Sequence, residues 1–551
     1  MNVSTKISGI DFYKMVCFGA DRLKRNVREI NDLNVFPIPD GDTGDNMLMT
    51  IMSCVENSVE KTESLSVCSR NIADAILLGA RGNSGVILSQ FFDGLAEGFE
   101  GEESADEKQI KKALSVAVES SYKAVASPVE GTMLTVMREA TESICSCDYS
   151  EPGKMFEAFT TQAKQTLSRT PQMLSTLKDA GVVDSGGAGF VCIVEGMTAY
   201  LCQNEIPSDV EFAFEKDNRD NFDISLFDED SELEYGYCTE LLLRLQKKKC
   251  NVLSFDTKDI IVHLNQIGDS VATVKKDSLV KIHVHTKTPD KVLSLCQKYG
   301  EFLKIKIENM SLQHGNKTLL ERKGTLQKEF SKEFGVVAVC SGNGISNLFT
   351  DAGADIVIDG GQSMNPSTGE FIDAFKQLDA KVVFVFPNNK NIIFAAKQAA
   401  SMYDECQVYV VESENIGEGY AALSMMDTGL GDVDSILSQM NMAMKTAVTL
   451  EIARSTKDVN LKGFEITAGN YISVSGKEIL SCSQNRFKAL CNGISVAGIA
   501  DKDICIVIYG LKSDKEELQR IEEFINSEYV GKELYFIDGM QEVYDYIVIM
   551  E

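Results

Sequence analysis

Leu23, Val27, Ile30 and Leu33 recur at steps of three and four, so a helix with one apolar face delivers the chain to Asn34. Further helix-like runs cover about 70–99, 107–125, 132–146, 153–168 and 188–202. Residues 1–205 therefore read as a mainly helical domain, with Pro128 and Pro171 in loops between helices. The pattern breaks over 206–234. Within 211–234 stand ten acidic and two basic residues, interleaved with Phe212, Phe214, Phe222 and Phe227, which reads as a mobile linker or lid. Strand-like patches follow at Ile260–Leu264, Ser270–Lys275 and Leu279–Val284, with a helix near 288–299, predicting a small α+β domain over 235–325. Over 326–551, apolar strands alternate with helices: Gly335–Cys340, Asp355–Ile358, Lys381–Phe386, Gln407–Val411 and Ile504–Ile508. This predicts a C-terminal α/β domain.

At 551 residues the chain is too long for one core, in keeping with several domains. The formal charge of −28 argues against nucleic acid, whose phosphates need a basic surface, and against attachment to anionic lipid. No apolar run approaches the length of a membrane span, and the N-terminus lacks the shape of a signal peptide. Fifteen cysteines without a CxxC pair read as reduced thiols in the cytoplasm, most of them small buried hydrophobes.

The chemistry concentrates in Asn34-Val-Phe-Pro-Ile-Pro-Asp40-Gly-Asp42-Thr43-Gly-Asp45-Asn46-Met47. Asp40 and Asp42 stand one residue apart, and in a turning backbone both carboxylates can converge on one cation. Gly41 and Gly44 let the backbone bend and approach a ligand, while Thr43 and Asn46 can hydrogen-bond phosphate oxygens. Hard oxygen donors at a glycine-rich turn suit Mg²⁺ bound to a nucleotide polyphosphate. Three more junctions of this kind follow: Gly79-Ala-Arg-Gly-Asn-Ser84-Gly85, Pro128-Val-Glu-Gly131-Thr132-Met133, and Asp179-Ala-Gly-Val-Val-Asp184-Ser-Gly186-Gly. Singly, each reads as a packing or capping glycine. Four at helix starts in one helical segment point to phosphate and metal at helix ends. No GxxxxGK[ST] occurs, so this is not a P-loop.

These strings, with NVFPIPDGDTGDNM, GARGNSGVILSQ, GTM and DAGVVDSGGAGF foremost, resemble the nucleotide-binding domain of the dihydroxyacetone kinase superfamily, and most closely the fatty acid kinase catalytic subunits. The resemblance continues through YGYCTE at 235–240, KIHVHT at 281–286, GGQSMNPST at 360–368 and FPNNKNI at 386–392, so it covers nearly the whole chain. It implies an antiparallel helical barrel with ATP held at one end, a small middle domain, and a C-terminal α/β domain related to the DegV-like proteins. It implies Mg²⁺ on Asp40 and Asp42 with Asn34 as a third group, and Thr43 and Asn46 on phosphate. Ser84 and Gly85 would cradle phosphate, Gly131, Thr132 and Met133 would line the nucleotide pocket, and Asp184 with Gly186 would close it. Arg169 would help to fix nucleotide or phosphate charge. The family string usually has a second threonine where this chain has Asp45. That carboxylate either helps to hold a second Mg²⁺ or repels the nucleotide, and metal compensation is the expectation.

The implied activity is transfer of the ATP γ-phosphate to the carboxylate of a fatty acid presented by a separate DegV-like fatty-acid-binding protein, within a homodimer. The alternatives are a kinase for a small hydroxylated ketone and a nucleotide-sensing scaffold without transfer. A fatty acid carboxyl, with a pKa of roughly 4–5, is already ionised at neutral pH and needs no general base. In agreement, all four histidines lie beyond residue 260. His283 and His285 alternate in a strand-like stretch and with Cys238 form a possible Zn²⁺ set, which the resemblance supports; Glu240 is a candidate fourth ligand. Ser341–Gly344, Gly361–Asn365 and Asn388–Lys390 follow expected strands, where α/β sheets bind ligands or where a partner could dock.

Overall fold

The computed structural model describes residues 6–34, 41–56, 61–125, 127–203, 237–246, 248–249, 255, 257–264, 267–276, 278–309, 330–361, 364–461 and 463–551. They divide into two compact units, 1–210 together with 330–551, and 211–329. The reading of 206–234 as a linker or lid lies outside the described residues.

In the first unit, a short strand pair, β1 (Ile7–Ser8) with β2 (Ser104–Ala105), ties the start of the helical domain to its middle. Ser8 then starts α1 (Gly9–Asp32) through a capping box: Asp11 N–H donates to Ser8 Oγ and Asp11 Oδ2 accepts from Ser8 N–H. The chain continues as α2 (Thr43–Glu56), α3 (Leu65–Leu78), α4 (Gly82–Gly98), α5 (Glu107–Lys123), α6 (Met133–Cys145), α7 (Pro152–Met173), α8 (Ser175–Ala180) and α9 (Ser185–Gln203). The run expected over 70–99 is thus two helices, parted at Gly79–Arg81. Pro171 lies inside the last turn of α7 instead of in a loop. Proline there leaves the Leu167 carbonyl without its usual N–H partner, and Thr170 Oγ1 donates to it at 2.8 Å.

Helix α9 has the length and apolarity of a membrane span, contrary to the sequence reading. It packs against α1, α2, α6 and α7, in the middle of the helical domain. Glycines make that closeness possible: a Cβ on Gly196 would stand 2.2 Å from the Phe18 carbonyl oxygen, and one on Gly19 would stand 2.9 Å from that of Ile193. Phe91, Phe159 and Phe190 fill the interior with edge-to-face contacts.

The second unit holds β3 (Tyr237–Leu245), α10 (Thr257–Leu264), β4 (Asp269–Lys276), β5 (Leu279–Thr286), α11 (Pro289–Cys296) and β6 (Gly300–Asn309), with sheet order β4-β5-β3-β6. Ile260–Leu264, expected as a strand, is the end of α10. Its apolar residues Ile260 and Leu264 are one turn apart and both buried in the core with Val280, Ile282 and Val284 of β5, which a helical period of four satisfies.

The remainder of the first unit is α/β. A parallel sheet ordered β10-β9-β7-β8 is made by β7 (Lys332–Cys340), β8 (Ile356–Asp359), β9 (Ala380–Phe386) and β10 (Gln407–Val410). Its helices are α12 (Asn343–Asp351), α13 (Thr368–Leu378), α14 (Ile393–Met402), α15 (Ile416–Ser424) and α16 (Val433–Thr446). A mixed sheet follows, containing β11 (Val448–Arg454), the small pair β12 (Val459–Leu461) and β13 (Phe464–Ile466) beside it, then β14 (Tyr471–Ser475), β15 (Glu478–Ser483), β16 (Ile504–Tyr509), β17 (Glu533–Asp538) and β18 (Tyr546–Met550). One core lies between these sheets, with Val336, Phe384, Ile506 and Ile547 in contact. On the other face of the parallel sheet, Phe371, Phe375 and Val383 share a core with Ala80 and Val86 of the helical domain. That shared core seats the helical and α/β domains on each other at α4. Of thirteen described cysteines, all free, six are buried, fewer than the sequence suggested.

Candidate nucleotide and metal site

The end of α1 and the starts of α2, α4, α6 and α9 carry the polar residues singled out in the sequence. At the end of α1, Asn31 fastens the start of α2: its Oδ1 accepts from Gly44 N–H at 2.7 Å and its Nδ2 donates to Asp45 Oδ2 at 2.7 Å. Asp45 is exposed in the first turn of α2, where a carboxylate also suits the helix dipole. Asn34 Oδ1 accepts from Thr43 Oγ1 at 2.9 Å and from Ser185 Oγ at 3.1 Å, and the two hydroxyls are 3.3 Å apart. Three helix ends therefore meet in one knot of oxygens: Asn34 from α1, Thr43 from α2, Ser185 from α9.

Asp42 immediately precedes α2, and its carbonyl accepts from Asn46 N–H at 2.8 Å. Its carboxylate receives Asn365 Nδ2 at 2.6 Å, from the α/β domain. Asp40 lies outside the described residues. Gly85 packs its Cα against α2, where a Cβ would stand 2.3 Å from Thr50 Oγ1. Thr50 Oγ1 in turn accepts from Arg81 N–H at 3.1 Å, which fixes the turn into α4.

Asp184 joins two helix starts. Its Oδ2 accepts from Gly187 N–H at 2.7 Å, in the first turn of α9, and its carboxylate also accepts from the Met133 N–H at the start of α6. A Cβ built on Gly186 would lie 3.5 Å from each of Ser84 Oγ, Asp184 Oδ2 and Met133 Cβ. Ser84, Met133, Asp184 and Gly186 thus lie close together. Gly131, at φ 86°, and Thr132 form the turn into α6; Gly131 N–H donates to Thr135 Oγ1 and Thr132 Oγ1 donates to the Val129 carbonyl. Arg169 is ion-paired with Glu139, and no hydrogen bond among the described residues carries it to Asp42 or Asp184.

Burial raises the Asp184 carboxyl to about 6, with the two backbone N–H donors pulling the other way. A raised carboxyl pKa means that the folded chain binds the proton more tightly than the unfolded one. Stability from this group is therefore fully present below the unfolded value near 4 and declines as pH rises through about 6. Without nucleotide or Mg²⁺, Asp184→Asn, which keeps the acceptor and removes the charge, is expected to raise the thermal midpoint at pH 8 relative to wild type by about 2–4 °C more than at pH 5. Equal differences at both pH values would refute the shifted ionisation.

Residues 37–199 match the DAK2 domain, 234–317 the middle domain of the FakA-like fatty acid kinases, and 335–551 the C-terminal domain of the same FakA-like proteins. Protein YloV of Bacillus subtilis is 35% identical over 563 residues, covering 100% of both chains. The chain belongs to the FakA-like fatty acid kinase family. An uncharacterized protein of Staphylococcus epidermidis is 34% identical over 99% of this chain and 100% of its own length. Among solved structures, DegV, a fatty acid binding protein from Bacillus subtilis, aligns over 40% of this chain and 99% of its own, at 14% identity and a TM-score of 0.31. The dihydroxyacetone kinase from C. freundii, in complex with AMP-PNP and Mg²⁺, aligns over 33% of this chain and 32% of its own, at 19% identity and a TM-score of 0.27. The chain is accordingly multidomain: a helical DAK2 domain, a family-specific middle domain and a C-terminal α/β domain.

Of the expected zinc set, only backbone is described for Cys238, His283, His285 and the candidate Glu240. Strand register pairs Cys238 with His285, and Glu240 with His283. Among the described residues no three metal-type side chains gather. The expected ligand loops of the α/β domain part company. Ser341, Gly361, Asn388 and Asn389 line a cavity of about 70 Å³ between the ends of β7 and β9, whereas Asn365 reaches the DAK2 domain. Sequence reasoning passed over Asn31 and Lys457 and gave no role of their own to Ser185 and Arg81, while Asn365 stood at the end of an expected ligand or docking loop without its partner being named. Lys457 Nζ donates to the carbonyls of Asp32 and Asn34 at 2.7 and 2.9 Å, satisfying orphan acceptors at the end of α1. Ser185, Arg81 and Asn365 did have a signal, their places inside the glycine-rich strings before α9 and α4 and in the loop after β8.

Proposed function

We propose that this chain is the ATP- and Mg²⁺-dependent component of a fatty acid kinase. It transfers the γ-phosphate to the carboxylate of a fatty acid held by a separate fatty-acid-binding protein, giving an acyl phosphate and ADP. The observation that carries this reading is the meeting of Asn34, Thr43 and Ser185 beside Asp42, at the starts of helices in a DAK2 domain. The side chains are carboxylate, carboxamide and hydroxyl, the hard oxygen donors that fit Mg²⁺. Asp42, with Asp40, would hold the ion, which when bound neutralises phosphate oxygens. Asn34 orients the Thr43 and Ser185 hydroxyls, and backbone N–H groups at the helix starts attract phosphate. Ser84 and Met133, which lie with Asp184 around Gly186, would line the nucleotide pocket.

In the transfer, a carboxylate oxygen attacks the γ-phosphorus and the bond to the β,γ-bridging oxygen breaks, leaving that electron pair on ADP. No proton has to move, which suits a site rich in positioning groups. A Zn²⁺ at Cys238, His283 and His285 belongs to the same reading and rests on the family resemblance; the backbone register pairs Cys238 with His285.

The test is transfer of labelled γ-phosphate from ATP and Mg²⁺, with and without a fatty-acid-binding protein loaded with oleate. Label in acyl phosphate only when the loaded carrier is present is the expected result. Label on dihydroxyacetone without a carrier would make the chain a small-molecule kinase. ATP binding with no acceptor at all would make it a nucleotide-sensing scaffold.

A further inference from the structure

The surroundings of Asp42 are built from distant parts of the sequence. Asn365 lies in the connection between β8 and α13 of the α/β domain, and only 1% of it is exposed. Its Nδ2 donates to Asp42 Oδ2 at 2.6 Å and lies 3.2 Å from Asn46 Oδ1. Among the described residues, its own Oδ1 is buried with no hydrogen-bond partner.

The segment is held where it is from both sides. Arg81 Nη1 donates to the Asn365 carbonyl at 2.6 Å, and Arg81 Nη2 pairs with Glu370 at 3.1 Å. Thr368 N–H donates to the Ala80 carbonyl at 3.1 Å. Gly82, at φ 59°, supplies the space: a Cβ there would stand 2.7 Å from Asn46 Nδ2 and 3.2 Å from Asn365 Nδ2. Adhesion between the domains is provided elsewhere in the same interface, by the apolar packing of Ala80 and Val86 and by Gln398 Nε2 donating to the Leu77 carbonyl at 3.3 Å. Asn365 differs from those contacts in spending its amide on the carboxylate that would face the metal. Carboxylate ligands need such outer partners to fix their orientation.

We propose that Asn365 is a positioning residue of the nucleotide site: it sets the Asp42 carboxylate for Mg²⁺, so that the site is complete only with the α/β domain seated on α4. The proposal rests on the reading of Asp42 as a metal ligand.

Calorimetric titration of the full chain with ATP, in EDTA and across a Mg²⁺ series, tests it on wild type, Asn365→Ala and Gln398→Ala. Asn365→Ala is expected to need about 10–100-fold more Mg²⁺ for half-maximal ATP binding. Its ATP affinity in EDTA should match wild type, and amide exchange around Ala80–Val86 should stay slow, showing the domains still seated. Gln398→Ala, at the same interface without contact to Asp42, should keep the wild-type Mg²⁺ requirement. An unchanged requirement in Asn365→Ala would overturn the proposal. So would an equal shift in Gln398→Ala, or loss of amide protection in Asn365→Ala, since either makes Asn365 interface adhesion only. If wild type binds ATP without regard to Mg²⁺, the metal reading of Asp42 fails and the proposal with it. If wild type binds Mg²⁺ and ATP but forms no acyl phosphate, the lipid acceptor is wrong while the role of Asn365 stands.

Discussion

An Asp42→Ala chain is expected to lose phosphoryl transfer by a factor on the order of 10²–10³ or more, with the helical domain still folded. The loss follows from position. Asp42 stands at the start of α2, its carboxylate facing Asn365 and its backbone carbonyl already used in the first helical hydrogen bond. That backbone bond stays when the side chain is cut back, so on the proposed reading the loss falls on metal and phosphate binding. Transfer to a carboxylate is governed by neutralising and aligning phosphate oxygens, and losing one preorganised charge-stabilising group has effects of that size. Steady-state transfer with the carrier measures it, and circular dichroism reports the fold. A variant with transfer within tenfold of wild type would remove Asp42 from the site.

Gly82→Val is the substitution expected to cost most at the junction of the two domains. Gly82 holds φ at 59°, which a β-branched residue adopts only with strain, and its Cα faces Asn46 and Asn365 at distances that leave no room for a side chain. Strain and overpacking together are expected to destabilise the first unit by about 2–4 kcal/mol. Asn365 should be pushed off Asp42 in the same step, so the Mg²⁺ requirement for ATP should rise as well. Urea unfolding followed by helical signal, with ATP titration alongside, checks both. A variant with unchanged stability and an unchanged Mg²⁺ requirement would mean that the segment carrying Asn365 does not close on α4.

The helical domain was legible because its signals are local. Apolar residues every three or four positions marked the end of α1 and the whole of α5 to within a few residues, and glycine with serine or aspartate marked the starts of α4 and α9. The family strings extended that reading to a candidate site, and Ser84, Met133, Asp184 and Gly186 lie close together. Where two periods compete within a short apolar run, the sequence misled. Ile260–Leu264 looks like a strand and is a helix, because covering the β3–β5 sheet with Ile260 and Leu264 decides its conformation. Pro171 misled differently, since the Thr170 hydroxyl supplies the hydrogen bond that proline cannot.

By itself, then, the sequence determined the helical segments, the alternating strands and helices of the C-terminal domain, and the oxygen-rich turn at Asp42. Each depends on neighbours within a turn or two of backbone. Only the tertiary structure decided that Asn365, 323 residues from Asp42, meets it, or that Lys457, 423 residues from Asn34, closes the end of α1. The sequence marked the loop ending in Asn365 only as a general ligand or docking loop, and nothing local marks Lys457, so neither side chain's partner was legible. The Asn365 contact is brought into reach by the apolar packing of Ala80 and Val86 into the core around Phe371, which has no direction of its own.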